Sequence, residues 1–157
     1  MKSVNGNGVS IGSCIGHAFV YQNKIDLNAE SKIAFNEAVQ KLTTKFQSQI
    51  EDFKNNNRNE EAEVLDAYIL ILKDPEITGQ ITAENQSSVK EIYNIFDSSA
   101  NILASMEDEY FKQRAEDIIS VGKHLINTMQ EKEINVDLNE NSVLVAEDLT
   151  PADTSSM

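Results

Sequence analysis

Ser142-Val143-Leu144-Val145-Ala146-Glu147-Asp148-Leu149-Thr150-Pro151-Ala152-Asp153 is the stretch that decides the fold class. Its opening, Ser142 to Ala146, is a near-continuous apolar run of strand length. A run without polar alternation predicts a strand buried on both faces, as in a parallel sheet. The end of the stretch announces a helix. Thr150 is a capping residue, and Pro151 suits the first helical position, where its missing N–H costs nothing. Asp153 stands at the third helical position, the spacing of a capping box. A strand buried on both faces needs neighbours, and the rest of the chain offers one candidate. Gly8 to Tyr21 is rich in Val, Ile and Phe and is punctuated by Gly8, Gly12 and Gly16, which suggest bends or close backbone approach. The helix begun at Pro151 meets the last residue, Met157, within two turns. The expectation is a fragment: a complete helical insert between two pieces of a cut α/β body.

The insert shows a helical period throughout. Between Ala29 and Phe53, the residues Phe35, Ala38, Leu42, Phe46, Ile50 and Phe53 recur every three or four positions, the spacing of one helix face. Asn55-Asn56-Asn57 breaks that helix, because asparagine favours turns. A second helix is expected from Glu60 to Lys73. Its tail, Ala67 to Leu72, is apolar nearly all round, so it is either buried on all sides or offers apolar residues to a partner. Asp74-Pro75-Glu76 carries a cap and a first-position proline, predicting a short third helix to about Ala83. A fourth is expected over Ser87 to Ser105, with Val89, Ile92, Phe96, Ala100 and Leu103 on one face. A fifth covers Glu107 to Gln130, with Phe111, Ile118, Val121, Leu125 and Met129 spaced for burial. No glycine or proline separates these two, so a single bent helix is an alternative. Helices joined by short turns predict an antiparallel bundle. Asn135 to Asn141 reads as a polar linker.

Composition narrows the function. The chain has 157 residues, 40 % hydrophobic and 25 % charged, ordinary for one globular domain. No run of about eighteen apolar residues occurs, so no helix spans a membrane. The start, Met1-Lys2-Ser3-Val4-Asn5-Gly6, lacks a signal-peptide core, which favours the cytoplasm. The single cysteine, Cys14, excludes an intramolecular disulfide framework and reads as a small buried or half-buried hydrophobe. A net charge of −13 disfavours nucleic acid, because phosphate binding needs a basic surface. The acidity either serves solubility or steers a basic protein partner. The cluster Glu60-Glu61-Glu63-Asp66 bears both readings. It matches the positive end of the second helix's dipole, and it offers a landing site for basic residues.

No metal constellation is present, since no histidine pair has ligand spacing. His17 and His124 are tempting, because a neutral imidazole can attack phosphorus. A phosphoryl site also needs donors for the phosphoryl oxygens, and neither histidine has a glycine-rich or basic cradle in sequence. No catalytic residue is expected.

Four stretches together resemble the enzyme I family of the phosphotransferase system. Asp108 to Ile118, followed by Val121-Gly122-Lys123, is similar to its signature helix. Val143 to Thr154 is similar to its strand-to-helix segment, Gly8 to Ala18 to its opening strand, and Leu70 to Glu76 to the end of its second helix. The matches occur in order along most of the chain. The resemblance implies an α+β fragment, mainly α: an antiparallel helical bundle inserted into a truncated α/β phosphohistidine-type domain. It divides the chain into 1–24, the first strand segment; 25–134, the helical subdomain binding the carrier HPr; and 135–157, the return strand and the start of a helix. Enzyme I passes a phosphoryl group from phosphoenolpyruvate, through its own histidine, to HPr in sugar uptake. That histidine lies in a Gly-Gly-x-Thr-Ser-His stretch, which this sequence does not contain. Magnesium and homodimerisation are implied for the full-length enzyme only, and no cofactor for this chain.

By resemblance, Glu60, Glu61, Val64, Leu70, Ile71, Glu76, Ile77, Tyr110, Phe111 and Arg114 match the docking surface for HPr. The apolar members would form its centre and the glutamates a charged rim. Leu70 and Ile71 point about 100° apart on one helix, so they are not expected to share one core. The family departs here at Ile11, where proline is usual, at Ser13-Cys14, where small apolar residues are usual, and at Tyr68, where histidine is common. His17 and His124 stand at basic family positions. The nitrogen-related paralogue of enzyme I, with another carrier, and a helical adaptor without phosphotransfer are the alternatives.

Overall fold

A computed structural model of the chain describes residues 10–132 and 138–155. Among them the elements run β1 (His17–Val20), α1 (Phe35–Asn55), α2 (Asn59–Leu72), α3 (Pro75–Thr78), α4 (Val89–Ala104), α5 (Glu109–Met129), β2 (Ser142–Val145) and α6 (Pro151–Thr154). The architecture is mainly helical with one small parallel strand pair.

The apolar stripe of α1 is its buried face: Phe35, Ala38, Leu42, Phe46, Ile50 and Phe53 all lie in the core. The helix begins at Phe35 rather than Ala29, and the hydrogen bonds explain why. The backbone N–H groups of Lys32 and Ile33 donate to Met129 O at 2.7 and 3.2 Å. Gln130 Nε2 donates to the carbonyls of Asp26 and Ala29 at 2.6 and 3.1 Å. These backbone groups are already satisfied by the end of α5, so an extended arm replaces the expected first turns. Ile25, Leu27 and Ile33 of the arm pack on the core. At its other end α1 stops where expected, with Asn57 at φ 58°, a left-handed conformation that asparagine tolerates.

Asp74 caps α3 by accepting from Glu76 N at 2.9 Å. The helix ends at Thr78 rather than near Ala83 because Asn85 competes for the backbone. Its Oδ1 accepts from Thr82 N at 2.7 Å, and its Nδ2 donates to Gln80 O at 3.2 Å. Asparagine offers such local alternatives to helix. α4 and α5 are two helices and not one bent helix. Asp108 accepts from Tyr110 N at 2.9 Å and restarts the chain as α5, which packs back along α4. Gly122 permits that approach: a Cβ there would lie 3.1 Å from Phe96 Cβ.

β1 and β2 pair in parallel, with His17 opposite Ser142 and Val20 opposite Val145. Gly16 serves the close approach expected of it, since a Cβ would meet Asn141 O at 2.3 Å. The expected burial of β2 on both faces is corrected. Ser142 to Leu144 are half-buried and Val145 is 47 % exposed, because among the described residues no helix packs closely over the faces of the strand pair, and it is such layers that bury a parallel strand on both faces. Cys14 is exposed, not the small hydrophobe in shelter that was expected. After β2, α6 starts with the full capping box: Thr150 and Asp153 each accept from the other's backbone N–H. Ala152 then joins the core beside the long helices. Residues 1–9, including Gly8, and residues 135–137 of the expected linker lie outside the described residues.

Candidate partner-docking surface

Helix directions decide which candidate residues meet. Lys41 near the start of α1 pairs with Glu131 just beyond α5 at 3.0 Å, and Phe46 meets His124 edge-on at 5.9 Å. α1 and α5 therefore run in opposite directions. α1 also runs opposite to α2, to which a tight turn joins it, with Lys54 3.9 Å from Asp66. α2 and α5 consequently point the same way and pack together. Their first turns share one end of the molecule. Glu60, Glu61 and Val64 from α2 thus gather at the same end as Tyr110, Phe111 and Arg114 from α5. Leu70 and Ile71 lie toward the other end of α2 (Asn59–Leu72), about 15 Å along the helix from Glu60, and Glu76 and Ile77 follow on α3.

Exposure separates the candidates again. Leu70 and Tyr110 are each 66 % exposed. Glu60 and Glu76 are exposed, while Glu61, Val64, Phe111 and Arg114 are half-buried. Ile71 and Ile77 are only 2 % exposed. Both belong to the core, which removes them from any contact surface: Ile71 and Leu72 turn inward with Leu65 and Tyr68. Ile102 and Met106 are exposed apolar residues at the α4–α5 corner, close in sequence to Tyr110, and sequence reasoning did not single them out. Ile102 falls off the buried stripe of α4, which is the signal that would have found it.

The local charges are mostly paired. Arg58 donates to Glu61 at 2.9 Å and holds its carboxyl below the ordinary range. The same guanidinium lies 4.5 Å over the Phe53 ring. Arg114 sits 3.9 Å from Asp117, whose carboxyl is nevertheless raised because burial outweighs the arginine. Tyr110 and Phe111 stack edge-on at 5.4 Å. The result is an aromatic pair set among carboxylates, several of which already bind a neighbouring cation.

A family description reading "PEP-utilising enzyme, N-terminal" matches residues 5–114. The chain belongs to that family. The phosphoenolpyruvate-protein phosphotransferase of Mycoplasma genitalium is 30 % identical over 100 % of this chain and 30 % of its own length. The one from Priestia megaterium is 31 % identical over 99 % of this chain and 30 % of its own length. This chain therefore spans about 30 % of the length of the curated relatives it matches. A solution structure titled Enzyme I (nEIt) superposes with a TM-score of 0.55 at 27 % identity, over 92 % of this chain and 64 % of that one. The mainly helical fold with its small parallel strand pair is thus similar to that enzyme I structure.

Within this member of the PEP-utilising family, the two histidines differ sharply. His17 is exposed on β1. His124 is 8 % exposed, and its imidazole pKa is lowered, chiefly by burial and further by Lys45 and Lys123, against an opposing pull from Asp153. It belongs to a polar cluster with Tyr21, Thr150 and Asp153. Beside that cluster, an open crevice of about 510 Å³ lies beyond the carboxyl ends of β1 and β2, lined by Tyr21, Lys24, Lys123, Glu147 and Asp148. Among the described residues no group of His, Cys, Asp and Glu is arranged to hold a metal, and no helix is long and apolar enough to cross a membrane.

Proposed function

We propose that this chain is the N-terminal part of phosphotransferase-system enzyme I, acting in the cytoplasm as the docking platform for the carrier HPr. The observation that carries this is the shared end of α2 and α5, where Glu60, Glu61 and Val64 gather with Tyr110, Phe111 and Arg114. Aromatic and arginine side chains are the types that anchor interfaces, and an acidic rim speeds encounter with a basic partner. Leu70 and Glu76 extend the surface along α2 and α3. Ile71 and Ile77 support it from beneath.

On this reading the helices of 25–134 form the HPr-binding subdomain, inserted between two pieces of the phosphohistidine-type α/β domain, 1–24 and 135–157. The phosphoryl-bearing histidine, the magnesium and the dimer contacts belong to other parts of the full-length enzyme. His17 and His124 play no part in phosphotransfer. The chain binds HPr without itself taking a phosphoryl group from phosphoenolpyruvate.

Isotope-labelled chain titrated with HPr should show perturbed signals at Glu60, Glu61, Val64, Tyr110, Phe111 and Arg114. Incubation with phosphoenolpyruvate and magnesium should leave the chain unmodified. Phosphorylation of the isolated chain would refute the reading. Preference for the nitrogen-related carrier in a parallel titration would reassign the partner to that paralogue.

A further inference from the structure

Arg58, the residue before α2, breaks a rule that most of the other helices obey. Asp74, Ser88, Asp108 and Thr150 stand before α3, α4, α5 and α6, and each accepts a backbone N–H of the helix it precedes. Arg58 makes no such cap. A guanidinium has no acceptor to offer a backbone N–H, and a cation is unfavourable at the positive end of a helix dipole. The local stability of α2 therefore does not account for this side chain. A residue that breaks a local rule is a candidate for function.

The guanidinium is nevertheless held in place. Its Nε donates to Glu61 Oε1 at 2.9 Å. Its central carbon lies 4.5 Å over the ring of Phe53, itself buried at the end of α1. One contact fixes an edge of the planar group and the other fixes a face, so the group is oriented before any partner arrives. Among the described residues neither Nη1 nor Nη2 has an acceptor, and 44 % of the side chain is exposed. Four of the five N–H donors are on those two nitrogens. Parallel donors so arranged match the two oxygens of a carboxylate. A phosphate dianion suits the fork but not its surroundings. Glu60, Glu61 and Glu63 follow within five positions, and they repel a double charge more than a single one.

We propose that Arg58 is a specificity-determining residue of the docking surface: a pre-set fork that takes an aspartate or glutamate carboxylate of the carrier on Nη1 and Nη2 while Nε stays on Glu61. The proposal rests on the docking reading above and adds a second polarity to it. Beside acids that receive basic groups, the shared end of α2 and α5 carries a cation that requires an acid. A basic partner without a carboxylate at that place would bury the fork unpaired, and an unpaired buried donor costs affinity. The fork therefore selects among basic partners, which the acidic rim alone does not.

The test is stopped-flow mixing of the full chain with HPr at two ionic strengths, with Arg58→Lys and Arg58→Gln beside the unaltered chain. Arg58→Lys keeps the charge and loses the planar fork. Association should be unchanged and dissociation about tenfold faster, the effect of losing an interface arginine. Arg58→Gln also removes a positive charge from an acidic surface, so association should quicken at low salt while dissociation is again faster. In the unaltered chain, the Arg58 Nη resonances should shift when HPr is added. Unchanged dissociation in Arg58→Lys, or Nη resonances that stay in place in the complex, would overturn the fork and leave docking intact. A lower melting temperature with unchanged dissociation would assign Arg58 to the α1–α2 turn alone. Failure of the unaltered chain to bind HPr would remove the docking reading, and the fork with it. If a variant does not fold, the Nη resonances of the unaltered chain decide.

Discussion

Leu70 and Ile71 are neighbours in sequence and opposites in environment, 66 % and 2 % exposed. One residue step turns a helix by about 100°, enough to carry a side chain from solvent to core. Ile71→Ala should destabilise the chain by about 2–5 kcal/mol, the range for truncating a buried aliphatic side chain. Leu70→Ala should change stability by no more than about 0.5 kcal/mol and act instead on carrier binding. Chemical denaturation of both variants checks the first contrast, and equal losses would contradict it. His124 supplies a second prediction at this scale. Its folded-state pKa is lowered, so the unfolded chain binds the proton more readily. The stability conferred by its neutral form is fully present above about pH 6.5, the unfolded value, and is lost as pH falls below it. Between about pH 7 and 5.5 the melting temperature should fall more for the unaltered chain than for His124→Gln.

Among the elements, α6 shows how much a short helix owes to its first turn. Four residues cannot sustain a helix by propensity. Thr150 and Asp153 cap one another, and Gln49 on α1 hydrogen-bonds to Ala152 O at 3.3 Å and to the Ser155 hydroxyl. Thr150→Ala removes the cap, leaves Asp153 N without its side-chain acceptor, and should cost about 1–2 kcal/mol. Amide exchange at 153–155 should quicken more than exchange within α4. Uniform protection across α6 in the variant would show that packing against α2 holds it instead. α5 makes the complementary case. It is held by its buried face, and Gly122 brings its backbone against Phe96 on α4.

At the scale of the whole molecule, charge and shape act together. The net charge of −13 creates a field that reaches beyond any single contact, and that field screens within about 8 Å at physiological salt. Replacing Glu60 and Glu61 by lysine should slow HPr association at low salt by about tenfold and flatten its salt dependence. Stopped-flow mixing at two ionic strengths reads both, and an unchanged on-rate at low salt would remove the acidic landing site. The loss should appear mainly in the on-rate, because rim charges steer encounter more than they hold the complex.

Much of this was legible in the residues. The stripe Phe35-Ala38-Leu42-Phe46-Ile50-Phe53 is the buried face of α1. The Thr150-Pro151-Ala152-Asp153 cap became a capping box, and the parallel strand pair followed from Ser142 to Ala146 and its one available partner. These are local rules: period, capping chemistry and turn residues act within a few positions of chain. What escaped was decided at long range. Residues 29–34 have a sequence compatible with helix, but they give their backbone groups to Met129 and Gln130, about a hundred positions away. Ile71 and Ile77 carry the same apolar character as Leu70, and only the packing of α2 and α3 against the core shows which side each faces. The gathering of Glu60 and Glu61 with Tyr110 and Arg114 depends on α2 and α5 running the same way. The cluster of Tyr21, His124 and Asp153 depends on three segments meeting in space. Sequence alone determined the elements, their caps and the family. Tertiary structure decided which side chains are surface, which are core and which polar groups meet in one buried cluster, because those follow from which distant backbones pack together.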